Sequence, residues 1–335
     1  MSGSYNSNST TQLRAIESAI PFIRQAIDVL DLTSSSQPII IADFGSAHGL
    51  NSFYNMKFIA DYIKETKNFE GSFLVVHNDL PTNDWSSLFK IVNQDTMYFG
   101  LANGRSFYSQ CLPSNSITVA SSSTSIHWLS QKPCNIRNQC FQISREGEEF
   151  ELFKRQARRD YDDFLANRSR ELISGGILLL TILSYGFQGT QLMQHGLGFL
   201  YECAKLLPLT DEELLDYTIP LYRRSYEECL DRDLFDKYSL KLIESKMVFL
   251  NSTCYEQWKK DEITLEEFAA NETGFIRCVT ESALVEALKR NERRSKEEID
   301  QLVTRFWKIF NDQIKREPDR FNSIEYHTHL ILKKL

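Results

Sequence analysis

The chain of 335 residues is 42% hydrophobic and 25% charged, enough apolar side chain to bury a full core in one large domain or two unequal ones. A net charge of -7 leaves no broad basic surface, which sets aside phosphate-backbone binding as the main activity. No apolar segment reaches about 18 residues, and the opening Met-Ser-Gly-Ser-Tyr-Asn-Ser lacks the basic start and apolar centre of a signal peptide; a cytoplasmic protein without a membrane partner is expected.

An amphipathic helix is expected over 10 to 30, where Leu13, Ile16, Ile20, Ile23 and Ile27 recur at helical spacing after a Ser/Thr/Asn cluster. Next comes Ile39-Ile-Ile-Ala-Asp-Phe-Gly-Ser-Ala-His-Gly-Leu-Asn51, a buried strand that delivers Asp43 and a loop with Gly45 and Gly49 to a sheet edge, followed by a helix from about Asn51. A second strand over 72 to 77 carries Asp79 at its carboxyl end, where an acidic side chain can accept bonds from both ribose hydroxyls. The spacing is neither GxGxxG nor GxxxxGK[ST]. Two strand-end aspartates with a glycine loop between them fit S-adenosylmethionine better than NAD. The plain alternative is that both aspartates cap the helices that follow.

A short helix from Trp85 to Val92 and a strand near 116 to 121 come next. A charged helix over 146 to 173, closed by Ser174-Gly-Gly176, leads into the all-apolar Ile177-Leu-Leu-Leu-Thr-Ile-Leu183, a helix-to-central-strand junction. After about Phe187 the texture turns to helices rich in Glu, Lys and Leu, broken by strand-like runs at 239 to 245 and 321 to 335. This reads as an α/β core over 1 to 187, completed by strands near 236 to 250 and 320 to 335, with helices over 188 to 231 and 251 to 317 as a cap that encloses a small substrate.

Seven scattered cysteines (Cys111, Cys134, Cys140, Cys203, Cys229, Cys254, Cys278) form no CxxC pair and read as reduced thiols. No metal-ligand set is legible. His327 and His329 share one face of a strand, and two polar residues on the less buried face of an edge strand is the expected reading.

At Ser121-Ser-Ser-Thr-Ser-Ile-His-Trp-Leu-Ser-Gln131 the chain resembles the SABATH family of S-adenosylmethionine-dependent methyltransferases, named for salicylic acid, benzoic acid and theobromine. The resemblance extends through Ser4-Tyr-Asn-Ser-Asn-Ser-Thr-Thr-Gln12, Ile41 to Asn51, Asn78-Asp-Leu-Pro-Thr-Asn-Asp84, Ser106-Phe-Tyr108, Leu112-Pro-Ser-Asn115, Arg170-Glu-Leu-Ile-Ser-Gly-Gly176 and Ile219-Pro-Leu-Tyr222. It implies a Rossmann-like methyltransferase core, a mostly parallel seven-stranded sheet, with a helical cap, and often a homodimer. Carried over residue by residue, it implies that Asp43, Gly45 and Asn51 form the cofactor loop, that Asp79 holds the ribose with Leu80 against adenine, and that Ser106 and Phe107 line the adenine side. Tyr5, Ser9 and Ser123 match positions around the methionine portion. Gln12, His127 and Trp128 resemble the groups that grip a substrate carboxylate, and all three offer N–H donors to an anion.

The chain departs from the family pattern in places. A basic residue found upstream of the Ser-Tyr motif in plant members has no counterpart before Ser4. Thr124 stands where an aromatic residue is usual and Met193 where several members have tryptophan, which enlarges the pocket; Leu50 replaces a customary proline, and Ser46-Ala-His48 a small polar run. The expected activity is methyl transfer to the carboxylate of a small organic acid, without a general base. Transfer to a ring nitrogen is the alternative, and a degenerate adenosine-binding relative is the non-enzymatic one.

Overall fold

The computed structural model describes residues 10–32, 38–186, 192–290 and 292–335, with side chains starting at Leu13 and Gly196 in the helices that begin at Thr10 and Leu192. Its elements are α1 (Thr10–Asp28), β1 (Ile39–Phe44), α2 (Leu50–Lys67), β2 (Phe73–Asp79), α3 (Trp85–Val92), β3 (Phe99–Gly104), β4 (Ile117–Ser123), α4 (Glu148–Glu171), β5 (Leu172–Ser184), α5 (Leu192–Lys205), α6 (Asp211–Asp216), α7 (Tyr226–Cys229), α8 (Arg232–Lys237), β6 (Leu240–Asn251), α9 (Thr253–Lys259), α10 (Leu265–Lys289), α11 (Lys296–Arg316) and β7 (Ile324–Lys334).

The strands form one seven-stranded sheet in the order β3-β2-β1-β4-β5-β7-β6. All neighbours pair parallel except β7, which runs antiparallel to both β5 and β6. Both faces are covered, so the central strands are apolar throughout instead of alternating. On one face Ile41, Val75, Val119 and Leu179 meet Ile23 and Ile27 of α1 and Ile59 and Ile63 of α2. On the other, Phe44, Ala120, Leu178 and Leu180 meet Tyr161, Phe164 and Leu165 of α4 and Leu234 and Phe235 of α8.

The helices after β5 build a separate apolar cluster from Leu200 and Cys203 of α5, Phe268 and Leu284 of α10, and Phe306 and Phe310 of α11. Four of the later helices start with a capping box, Thr210 with Glu213, Ser225 with Glu228, Thr264 with Glu267 and Ser295 with Glu298. This is how a Glu-rich sequence sets sharp helix starts: the hydroxyl and carboxylate satisfy N–H groups that have no partner within the helix.

Three expectations need correction. The strand at Phe99–Gly104 is absent from the sequence reading; it is one of the two sheet edges and carries two glycines, which weaken the strand pattern. Ser174-Gly-Gly176 does not close a helix: α4 ends at Glu171, and the glycines lie inside β5, where Gly175 takes a φ of 79° beside a break in register against β4. His327 and His329 do not sit on an edge strand, because β6 pairs along the outer side of β7 and leaves both histidines 1% exposed. His329 lies 3.0 Å from Thr181 Oγ1 and 3.1 Å from Ser18 Oγ and stacks on Phe22.

Candidate active site

The loop after β1 is shaped by a close approach that only glycine allows. Gly45 has a φ of 99°, and a Cβ there would lie 2.0 Å from Ser125 Oγ. The N–H groups of Gly45 and Ser46 donate to the Asn78 carbonyl at 2.9 and 3.0 Å, and the N–H of Ala47 donates to Asp79 Oδ2 at 2.7 Å. Asp79 Oδ1 accepts from the Leu80 N–H, also at 2.7 Å. Each oxygen keeps a second lone pair for a ligand. The helices are capped by other residues, α2 by left-handed Gly49 and α3 by Asp84, whose carboxylate accepts from Ser87 N. Neither strand-end aspartate is therefore a helix cap.

Asp43 is buried at 4% exposure. Burial pushes its carboxyl up to about 7; a hydrogen bond from Ser52 works against this, and the Asp79 charge adds to it. Asp79 is also raised by burial, opposed by its two backbone N–H bonds. Asp43, Gly45, Asn51 and Ser123 line a narrow space behind the loop, and Ser123 Oγ is buried there without a hydrogen-bond partner.

The segment from Ser106 to Leu112 closes this end, held by a pair that sequence reading missed. Arg168 and Glu171 are fully buried and bonded to each other at 2.8 Å. Arg168 donates to the carbonyls of Phe107 (2.7 Å) and Ser109 (3.0 Å), while Glu171 accepts from the N–H groups of Cys111 and Leu112. A charged helix reads as a solvated face, and only the i, i+3 opposite charges in its last turn hinted at more.

Thr124, His127 and Trp128, expected from sequence to bind the acceptor, lie in the segment after β4. Thr124 takes a φ of 49°, an unusual conformation for a β-branched residue and the kind of strain found at ligand clamps. The next residues are pinned to 220–224: Tyr222 N–H donates to the His127 carbonyl at 2.9 Å, Leu129 N–H to the Pro220 carbonyl at 2.9 Å, and Arg224 to the Ile126 carbonyl at 2.6 Å. Tyr108 OH donates to the Trp128 carbonyl at 2.5 Å, and Asp160 accepts from the N–H and hydroxyl of Ser130. With its backbone so fixed, the segment presents both His127 and Trp128 to the cavity. His127 Nδ1 is buried without a partner. Burial first, then the charges of Arg223, His327 and Arg224, hold His127 down at about 3, so the ring is neutral at neutral pH.

One cavity of about 480 Å³ joins the two ends. It is lined both by Gly45, Ala47, Asp79, Leu80, Ser106 and Phe107 and by Thr124, His127 and Trp128. Its remaining wall is mostly apolar, with Phe141, Leu183, Leu197, Ile219, Leu221, Phe275 and Ile276. A second cavity of about 470 Å³ adjoins it through Trp128, Pro220, Val279 and Ser282.

A family model described as SAM dependent carboxyl methyltransferase matches residues 1–334. The chain belongs to this family. S-Adenosylmethionine is its cofactor, and the family description names the carboxyl group, which leaves ring-nitrogen transfer without support. The methyltransferase is 30% identical over 302 residues to gibberellic acid methyltransferase 2 of Arabidopsis thaliana, covering 78% of this chain and 76% of the relative. It is 29% identical over 253 residues to loganic acid O-methyltransferase of Catharanthus roseus, covering 68% of each. A solved structure titled loganic acid methyltransferase with SAH superposes with a TM-score of 0.79 at 22% identity, over 98% of this chain and 96% of that one, so the two share a fold.

The residues present in the methyltransferase fit the cofactor: a glycine loop that admits no Cβ, an aspartate with free lone pairs, and an unpartnered buried hydroxyl at Ser123. Of the residues expected from sequence, Gly45, Asp79, Leu80, Ser106, Phe107, Thr124, His127 and Trp128 line the large cavity, and Asp43, Asn51 and Ser123 the space behind it. Tyr5 and Ser9 lie outside the described residues, as do the side chains of Gln12 in α1 and Met193 in α5. Among the described residues no helix is long and apolar enough to cross a membrane.

Proposed function

We propose that the two ends of the cavity divide the work, with cofactor held at β1 and β2 and the acceptor acid held against the segment after β4. The observation that carries this reading is the shared cavity lined by Asp79 and by both His127 and Trp128, with His127 Nδ1 buried without a partner. Asp79 accepts the ribose hydroxyls, Leu80, Ser106 and Phe107 enclose the adenine, and Asp43, Gly45, Asn51, Tyr5, Ser9 and Ser123 surround the methionine portion. Gln12, His127 and Trp128 grip the acceptor carboxylate; Thr124 and Met193 shape the pocket around its body. The helices over 188–231 and 251–317 act as the lid of this pocket. A reducing, cytoplasmic setting is supported by seven free cysteine thiols.

S-Adenosylmethionine supplies an electrophilic methyl group on a cationic sulfur. A carboxylic acid with a pKa near ~4 is already ionised at neutral pH, so no residue has to remove a proton. His127, held neutral, suits this task because it donates an N–H without competing for the proton. What the chain contributes is placement: fixing an oxygen in line with the methyl group is worth roughly 7 to 11 kcal/mol at its best. The apolar wall excludes water from a reaction in which opposite charges cancel, and so favours the ester.

Relatives are named for gibberellic, farnesoic and loganic acids, so the acceptor is a small carboxylic acid with an apolar body. The test is transfer of labelled methyl from S-adenosylmethionine to a panel of aromatic, fatty and hydroxylated acids, followed by mild alkali. Label released as methanol supports the ester, whereas label that survives alkali sinks this reading.

A further inference from the structure

The wall of the cavity also carries three polar side chains, Arg223, Glu325 and His327, that the carboxylate clamp does not use. Glu325 and His327 lie on β7, two places along the sheet from β4, which leads into the clamp. Two strand spacings separate the backbones of β4 and β7 by about 10 Å.

His327 is 1% exposed, and its Nε2 lies 3.2 Å from Glu325 Oε2. With the Nε2 proton given to that carboxylate, Nδ1 presents a bare lone pair, and Nδ1 is buried without a partner. An unsatisfied acceptor in a cavity wall is costly to leave so and points to a ligand that donates. Arg223 lines the same cavity and carries guanidinium N–H donors. Its guanidinium lies 5.4 Å from the centre of the Phe141 ring, and the Glu325 charge acts on it, as its own charge acts on His127. Arg223 is thus anchored on the same stretch of wall.

The charges decide what the ligand group is. Cationic cofactor balances the reacting carboxylate, and Glu325 balances Arg223, so a second anion from the acceptor would enter a poorly hydrated space uncompensated. A neutral hydroxyl has no such cost, and one hydroxyl can donate to His327 Nδ1 while it accepts from Arg223. We propose that Arg223 and His327 form a recognition site for a hydroxyl on the end of the acceptor remote from its carboxylate, so that the preferred substrates are hydroxylated carboxylic acids. This rests on the carboxyl-transfer reading above.

The test compares kcat/KM of the enzyme for 8-hydroxyoctanoate, octanoate and octanedioate, and for 4-(4-hydroxyphenyl)butanoate against 4-phenylbutanoate. The hydroxy acid of each pair should exceed its plain counterpart by tenfold or more, with octanedioate no better than octanoate. His327→Phe should bring the hydroxy-to-plain ratio close to one, and His327→Gln, which keeps an acceptor, should restore most of it. Glu325→Gln should raise octanedioate at least tenfold relative to octanoate, because it leaves Arg223 unbalanced. Equal wild-type rates for hydroxy and plain acids, a wild-type preference for the diacid, or an equal loss on all acids in His327→Phe would overturn the proposal. If no acid yields an alkali-labile methyl ester while cofactor still binds, the carboxyl-transfer reading fails and the hydroxyl site falls with it.

Discussion

The two ends of the cavity are assembled in opposite ways. The proposed cofactor end comes from consecutive turns of the fold, with Asp43, Gly45, Asp79 and Ser106 within 64 residues and each at or just beyond a strand tip or in the loop that follows. The acceptor end gathers 124–130, 219–223, 275–282 and 325–327, brought together only by the finished tertiary structure. On the proposed division, local geometry holds what does not vary in the reaction, the cofactor. Long-range packing shapes what does vary between related enzymes, the acid.

The largest effect that would sharpen this contrast is expected at Arg168. Arg168→Met leaves Glu171 as a lone buried charge and frees the segment from Ser106 to Leu112. A loss of ~3–5 kcal/mol in urea-unfolding stability is expected, together with weakened cofactor binding. Unchanged stability would break the claim that this pair supports the cofactor end. Second, Trp128→Phe keeps an aromatic ring but removes the indole N–H. A hydrogen bond to a charged group contributes ~1.5–3 kcal/mol, so kcat/KM for acids should drop by roughly ten- to a hundredfold. Calorimetry should find cofactor affinity unchanged; a parallel drop in both would mean the two ends are not separable.

Third, the ends should differ in pH response. Asp43, with a carboxyl at about 7, binds cationic cofactor better when ionised, so affinity should rise with pH up to about 7 and level off above it. The stability of the free protein moves the other way. The folded state keeps a proton that the unfolded chain releases above 3.8, so Asp43's contribution is full below 3.8 and lost as pH climbs through about 7. Asp43→Asn should abolish both trends in titration calorimetry and thermal melts. His127, at about 3, predicts a flat acceptor response from pH 5 to 8. The smallest effect is expected from Leu80→Ala: this 52% exposed side chain covers one side of the proposed adenine site, and its loss should weaken cofactor about three- to tenfold by equilibrium binding.

How much of this was legible follows from the same contrast. Ile39 to Asn51 showed its strand, acid and glycine turn within thirteen residues, so periodicity and chain chemistry sufficed. Leu172 to Gly176 misled because glycine after a helix ordinarily marks its end, whereas here Gly175 absorbs a break in strand register. His327 was misplaced because whether a strand is an edge depends on its neighbour, and β6 is about eighty residues away in sequence. Arg223 carried no local signal at all. An arginine after Tyr222 is ordinary until the fold sets it beside Glu325, a hundred residues on.

The fastening of Arg224 has a consequence for opening. Its side chain holds the carbonyls of Ile126 and Ala157, its own carbonyl accepts from Tyr185 N–H just past β5, and Tyr222 and Leu129 add two more bonds across the same seam. Local fluctuations that break one of these must break several, so the seam behaves as a cooperative unit. Its amides should exchange with solvent deuterium together and slowly. Residues 275–282 of α10 line the same cavity outside this seam, and amide exchange there is expected to slow when substrate is bound.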